Sequence, residues 1–242
     1  MDGRAVASML AAALLCLWSA LAAASAADPF VRLPAAAGTD GPLVLLLTGD
    51  GDWAPFPRGF AETAVAAGSP VLGLKTRTYL AHRARTPEQI AADLEGPVRA
   101  ELAASHRDAL VIVGYSRGAD WTAFVVNRWP EDLRERIRAI AFVGLSEHAS
   151  FAFHFDDLFR DIARPTDVPT RPEVEKLSGI PMICAYGEDE DDTLCKHPVP
   201  GMRVVEHTGA HRVKDDTDLI ALLLRELGIG SGAAPSSREQ RP

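Results

Sequence analysis

Gly114-Tyr115-Ser116-Arg117-Gly118 sets a serine between two glycines in the spacing G-x-S-x-G. The chemistry open to such a serine is nucleophilic attack on a carbonyl. On a sharp strand-to-helix turn its Oγ stands clear, and the backbone N–H of Arg117 points at a developing oxyanion. The other use of these residues is a tight turn with a serine capping a helix. The flanks favour the first use. Ala109 to Val113 is an apolar run of strand type, and Ala119 to Trp129 carries Trp121, Phe124 and Val125 on one helical face.

An activated serine needs a base, and the base needs an acid that orients it. In strand–elbow–helix hydrolases the chain order is Ser, acid, His. His197, His207 and His211 come late enough. His211, in Thr208-Gly209-Ala210-His211, lies past the last strand in a loop that would overhang the elbow, and it is the candidate base. His207 falls on the strand end, and His197 is too near the acids to oppose them. The acid lies in Glu188-Asp189-Glu190-Asp191-Asp192, just after a strand ending at Gly187. Runs of this kind are usually solvated loops, but this one stands where the third member belongs. Asp192, which opens Asp-Thr-Leu-Cys, is the chosen acid, with Glu190 and Asp191 behind it.

Thr48-Gly49-Asp50-Gly51-Asp52-Trp53 follows the first buried strand. There Gly49, Asp50 and Gly51 can supply the second oxyanion-hole donor beside Arg117. An ordinary Asp-Gly turn uses the same residues. Trp53, Asp52, Trp121, Phe153 and His154 are the candidate substrate contacts.

These residues need a scaffold. Leu43 to Leu47, Pro70 to Leu74, Ile137 to Leu145, Pro181 to Tyr186 and Arg203 to Glu206 read as strands, with a possible edge strand at Phe30 to Leu33. Phe60 to Ala67 and Asp215 to Leu227 read as helices. Thr86-Pro87-Glu88 opens another, which Gly96-Pro97 should kink or split. Alternating strands and helices imply an α/β fold: a mostly parallel sheet with helices on both faces and sites at the strands' C-terminal ends. Ser146 to Lys176 lacks a regular pattern and reads as a small cap segment. There is no P-loop, no dinucleotide fingerprint and no expected cofactor.

Residues 1–27 read as a cleavable signal peptide: Arg4, an apolar Val6 to Leu21, then Ser25-Ala26-Ala27 before Asp28. Cys16 follows Leu15 rather than a small residue, which argues against a lipidated cysteine. Residues 28–228 form the expected domain, with the cap at about 146–176, and 229–242 a disordered tail. The product is expected to be exported to the periplasm. The formal net charge of −8 disfavours nucleic acid as a partner. Cys184 and Cys195, beyond the leader, are expected to pair in an oxidising compartment. A metal site of Cys184, Cys195 and His197 matches no standard zinc spacing, so no metal is expected.

The chain resembles the VirJ/AcvB family of bacterial periplasmic proteins from about Leu43 to Leu227. The marks are Thr48 to Trp53, Gly114 to Asp120, Asn127-Arg128-Trp129-Pro130, Phe151-Ala152-Phe153-His154, Glu190 to Cys195 and Gly209-Ala210-His211. Two departures flank the oxyanion hole: the family usually has Gly where Asp52 stands and an apolar aromatic where Arg117 stands. The resemblance implies an α/β-hydrolase fold and hydrolysis of aminoacylated phosphatidylglycerol, chiefly the lysyl form. It also implies a link to type IV secretion, which makes secretion-system proteins candidate partners. Asp50, Asp52, Asp156, Asp157 and Asp161 are then candidates to meet the lysyl ammonium groups, although lone surface acids are usually solvated. Phe151, Phe153, Phe155 and Phe159 would form a lipid-facing lid or the core of a small cap. The rival readings are a general carboxylesterase or thioesterase and a non-catalytic secretion accessory protein.

Overall fold

The computed structural model describes residues 28–81, 83–152, 164–211, 213 and 216–230. The expected signal peptide and the candidate contacts Phe153 and His154 lie outside the described residues, as do Phe155, Asp156, Asp157, Phe159, Asp161 and most of the expected tail.

In chain order, β1 (Phe30–Leu33) is followed by β2 (Leu43–Leu47), α1 (Pro55–Ala66), β3 (Val71–Leu74), α2 (Thr76–Leu80) and α3 (Pro87–Ala104). β4 (Leu110–Tyr115) leads into α4 (Arg117–Val126), α5 (Glu131–Arg134) and β5 (Ile137–Val143). A short antiparallel pair, β6 (His148–Ala149) and β7 (Val168–Pro169), brackets the cap region. Then come α6 (Arg171–Glu175), β8 (Met182–Gly187), a 3-10 turn at Leu194–Lys196, β9 (Met202–His207) and α7 (Thr217–Glu226).

The main sheet has seven strands in the order β1-β3-β2-β4-β5-β8-β9. Only β1 runs antiparallel to its neighbour; the other pairings are parallel. The inner strands are apolar at consecutive positions because both faces are covered. Leu43, Leu45 and Leu47 face α3 and α4, whereas Val44 and Leu46 face α1 and α7. From β2 the chain steps outward to β3 and then returns across β2 to β4. That reversal opens a crevice between the C-terminal ends of β2 and β4, the usual place for a site in such sheets.

Three local expectations change. α1 starts at Pro55, not Phe60, because proline fits the first turn of a helix. α3 runs unbroken through Pro97. Ile90, Leu94, Val98 and Leu102 are all buried on its inner face, and that packing outweighs the single backbone hydrogen bond proline removes. Its N-terminus carries a full capping box between Thr86 and Gln89. α2 was not anticipated; its cause lies outside its own sequence, in the carboxylate of Asp52 described below. Among the described residues, no helix is long and apolar enough to cross a membrane.

Both glycines of G-x-S-x-G are sterically required. A Cβ on Gly118 would lie 2.1 Å from the carbonyl oxygen of Leu47, and one on Gly114 would lie 2.6 Å from Cα of Ala119. The first clash is with backbone at the end of β2, which cannot rotate away. Gly118→Ala should therefore destabilise the protein by about 3 kcal/mol or more, the upper end for overpacking. Chemical denaturation checks this: an unchanged midpoint would mean that α4 does not sit as close to β2 as described.

Candidate active site

Ser116 lies where β4 becomes α4, with φ 54° and ψ −126°. Positive φ is costly for a residue with a Cβ, and here it lifts the side chain clear of the strand end. The conformation is held by hydrogen bonds on both sides. The Ser116 N–H donates to the carbonyl of Val143 on β5, and its own carbonyl accepts from the N–H groups of Ala119 and Asp120 in α4.

His211 arrives from the loop after β9. Its Nε2 is 2.7 Å from Ser116 Oγ, and its Nδ1 is 3.0 Å from Glu190 Oε2. Two packing features seat the ring. It stacks on Tyr115, centroids 6.4 Å apart, and it lies over Gly144, where an added Cβ would fall 2.8 Å from Cε1. Gly144 adopts φ 68° at the end of β5. Sequence reasoning did not single it out; a glycine directly after an inner strand was the available signal.

The acid that meets His211 is Glu190, not Asp192, the one chosen from the sequence. Glu190 closes a tight turn after β8: its N–H donates to the Gly187 carbonyl, and its Oε1 accepts from the Gly187 N–H at 2.8 Å. Oε2 is left for the imidazole. The Glu190 side chain is 5% exposed and that of His211 is 27% exposed. Asp192 is two residues further on, exposed at the surface, as is Asp191, which faces Lys196 at 3.6 Å. The Gly187 amide fixes Glu190 inward, with its second oxygen on His211. Burial pushes the Glu190 carboxyl up. The hydrogen bonds from His211 and Gly187, with the charges of His211 and His207, more than offset this and hold it below the ordinary value.

The acid-bearing loop is fastened at its far end by the Cys184–Cys195 disulfide, Cα atoms 5.4 Å apart. The bridge ties the loop back to β8, and the Thr193 hydroxyl donates to the Leu145 carbonyl beside it. By loop-closure entropy such a bridge is worth about 3 kcal/mol. With both sulfurs bonded to each other, neither is a metal ligand, and among the described residues no His, Cys, Asp or Glu cluster is suited to hold a metal ion.

The Gly49–Gly51 loop stands beside the serine: a Cβ on Gly49 would lie 2.8 Å from Ser116 Cβ. Its acids are already engaged. The Arg117 guanidinium binds Asp50 with two hydrogen bonds, 2.6 and 2.9 Å. Asp52 accepts from the backbone N–H groups of Arg77 and Thr78 and from the Thr78 hydroxyl, at 2.9, 3.2 and 2.7 Å. It thus satisfies the first turn of α2, with Arg77 Nε 3.5 Å away. Asp52 also has φ 50°, a conformation natural to glycine. As a substrate contact Asp52 is therefore corrected to a structural residue.

Trp53 packs on the sheet, and Trp121 is corrected in the same way as Asp52. The Trp53 ring lies on Gly73 of β3, two strands from β4, where a Cβ would approach it to 2.5 Å. Trp121 is fully buried, donates its indole N–H to the Ser150 carbonyl at 2.9 Å and stacks on Phe151. Phe151 thereby packs against Trp121 and Phe124 of α4. A cleft of about 470 Å³ lined by Arg99, His106, Arg107 and Arg136 sits at the opposite end of the sheet and plays no part here.

With this geometry in place, the relatives can be compared. A family model described as bacterial virulence protein (VirJ) matches residues 41–228. The chain belongs to this family. Among curated proteins, none matches in sequence. Solved structures show what fold the VirJ family member adopts. An alpha/beta hydrolase from Novosphingobium aromaticivorans is 18% identical, with TM-score 0.52 over 82% of this chain and 93% of that one. An esterase from Exiguobacterium antarcticum is 10% identical, with TM-score 0.58 over 82% and 94%. A proline iminopeptidase from Mycobacterium smegmatis is 11% identical, with TM-score 0.57 over 83% and 94%. The fold is that of the α/β hydrolases. At these identities the likeness speaks to the fold alone.

The relay makes a sharp distinction between neighbouring acids. Labelling of Ser116 by a fluorophosphonate probe should slow about 10³-fold or more in Glu190→Gln, as when a buried orienting acid is lost. It should stay within about twofold in Asp192→Asn. Equal slowing in both would remove Glu190 from the relay. Glu190 also has a pH signature. Its lowered carboxyl contributes stability above the unfolded value of about 4.3, lost as pH falls through the lower folded value. Thermal midpoints of Glu190→Gln should accordingly fall less steeply than wild type below that pH.

Proposed function

We propose that this VirJ family member is a periplasmic serine hydrolase that cleaves the aminoacyl ester of aminoacyl-phosphatidylglycerol, chiefly the lysyl form. The observation that carries the reading is the continuous hydrogen-bonded path from Ser116 Oγ through His211 to Glu190. Ser116 attacks the ester carbonyl while His211 Nε2 takes its proton. The ionised Glu190 steadies the imidazolium at Nδ1. Negative charge moves onto the carbonyl oxygen, where the backbone N–H of Arg117 and one from Gly49 to Gly51 receive it. His211 then protonates the departing phosphatidylglycerol hydroxyl, leaving an aminoacyl ester on Ser116. Water, deprotonated by His211, attacks that ester and releases the amino acid.

The charge pattern supports a cationic substrate. Asp50 and Asp52 are bound internally, but Glu188, Asp189, Asp191 and Asp192 are exposed around Glu190. They favour a lysyl group at the mouth through their summed field. The disulfide supports an oxidising compartment such as the periplasm. Secretion-system proteins stay as candidate partners on the strength of the family.

The test is free lysine released from vesicles of lysyl-phosphatidylglycerol and phosphatidylglycerol. Wild type should release it, and Ser116→Ala should lose at least about 10³-fold, the scale expected when a covalent nucleophile is removed. Turnover of p-nitrophenyl acetate without lysine release would make the protein a serine esterase of another substrate. Inertness towards both, from folded protein, would favour an accessory role.

A further inference from the structure

Two charged side chains flank Ser116 without joining the relay. Arg117 follows the serine, and Asp50 is the middle residue of the glycine loop. The pair is a planar fork, Nε to Oδ1 and Nη2 to Oδ2, and it is withdrawn from water, with side chains 7% and 19% exposed. The Nη1 of Arg117 donates to the carbonyls of Ser150 and Ala152, at 3.0 and 3.1 Å. One guanidinium therefore joins the elbow, the glycine loop and the segment that follows β6.

We propose that the Arg117–Asp50 pair is the positioning device of the oxyanion hole. This rests on Ser116 being a nucleophile. The two backbone donors then needed lie on residue 117 and on residues 49–51, segments 67 residues apart in the chain. An oxyanion hole works only if both donors are already aimed before charge develops. A bidentate fork fixes both the spacing and the relative twist of the groups it joins, which a single-point lysine contact does not. The side-chain pair spans the same two segments as the backbone donors, so it sets their separation directly.

The second effect is electrostatic. An unpaired Asp50 carboxylate in the donor loop would oppose the negative charge forming on the substrate oxygen. Pairing with Arg117 offsets that charge. Loss of the arginine alone thus does two harms: the loop is released, and a bare carboxylate faces the oxyanion. Loss of both side chains does only the first. A role in stability alone would put that ordering in the thermal midpoint, because removing one partner of a buried pair strands the other charge, and would leave kcat and boronate affinity of the folded protein unchanged.

The experiment compares wild type, Arg117→Met, Arg117→Lys, Asp50→Asn and the double variant Asp50→Asn/Arg117→Met. The readouts are kcat and KM on p-nitrophenyl acetate, affinity for a boronic acid that forms a tetrahedral adduct on Ser116, and the thermal midpoint. Arg117→Met should lower kcat by about 10²–10³, the scale of a lost oxyanion donor, with KM within about threefold. Boronate affinity should fall in step with kcat/KM. The double variant should regain about tenfold over Arg117→Met, a coupling of the size found for residues in direct contact. Arg117→Lys should fall between wild type and Arg117→Met. A folded Arg117→Met with unchanged kcat and boronate affinity would overturn the proposal, as would a double variant no better than the single. If Arg117→Met fails to fold, Asp50→Asn decides: a parallel loss in kcat and boronate affinity supports the proposal, and no loss in either overturns it. Wild type inert to both ester and boronate would instead overturn the serine hydrolase reading beneath it.

Discussion

The backbone at Ser116 holds φ 54° and ψ −126°, a conformation that costs a residue with a side chain on the order of 1–3 kcal/mol. Much of the surrounding structure can be understood as what keeps it there. β4 is pinned between β2 and β5 in the middle of a parallel sheet. α4 begins at once and is pressed against the end of β2, so close that Gly118 can carry no side chain. Neither strand nor helix can relax the turn without losing its own hydrogen bonds or its packing. The strain is thereby held by long-range structure, and the serine is presented at the reversal point of the sheet before any substrate arrives.

A second constraint is the disposition of negative charge. The chain carries a formal net charge of −8, and many of its acids cluster near the site. Each acid near the serine is given a separate fate. Glu190 is buried, clasped by the Gly187 amide and turned to the imidazole. Asp50 is neutralised by a buried arginine, and Asp52 is absorbed by the start of α2. Asp120 is buried and accepts from the Ser146 N–H, and Glu188, Asp189, Asp191 and Asp192 are exposed on the rim. The proposed ester hydrolysis generates an anion at the centre, so acids inside are tolerable only when paired, whereas acids outside can attract a cation.

Asp52 and Arg117 find physical accounts in this arrangement. Aspartate tolerates the positive φ at position 52 while its carboxylate gains the N-terminus of α2. Arg117 is matched by Asp50 across the loop and by the carbonyls of Ser150 and Ala152. Both side chains act through hydrogen bonds on the backbone that frames the serine.

The periodic apolar runs and their punctuation were enough to read a parallel sheet with helices on both faces, and the serine elbow within it. Burial of whole strands forces continuous apolar sequence, and a tight elbow forces glycine at Gly114 and Gly118; such demands are local and therefore visible. His211 was legible because catalytic order places a histidine after the last strand. What separated Glu190 from Asp192 was one hydrogen bond from the Gly187 amide, a contact set by how the chain turns after β8 and invisible in a row of similar acids. Likewise Trp121 has the composition of a binding residue, but full burial against Ser150 and Phe151 claims it for packing. The unbroken α3 shows the same priority, since four buried side chains overrule a local Gly-Pro signal. Sequence alone determined which elements form and which residue types stand ready. Tertiary structure decided which member of each set faces inward, because that choice rests on contacts between segments that are neighbours only in space.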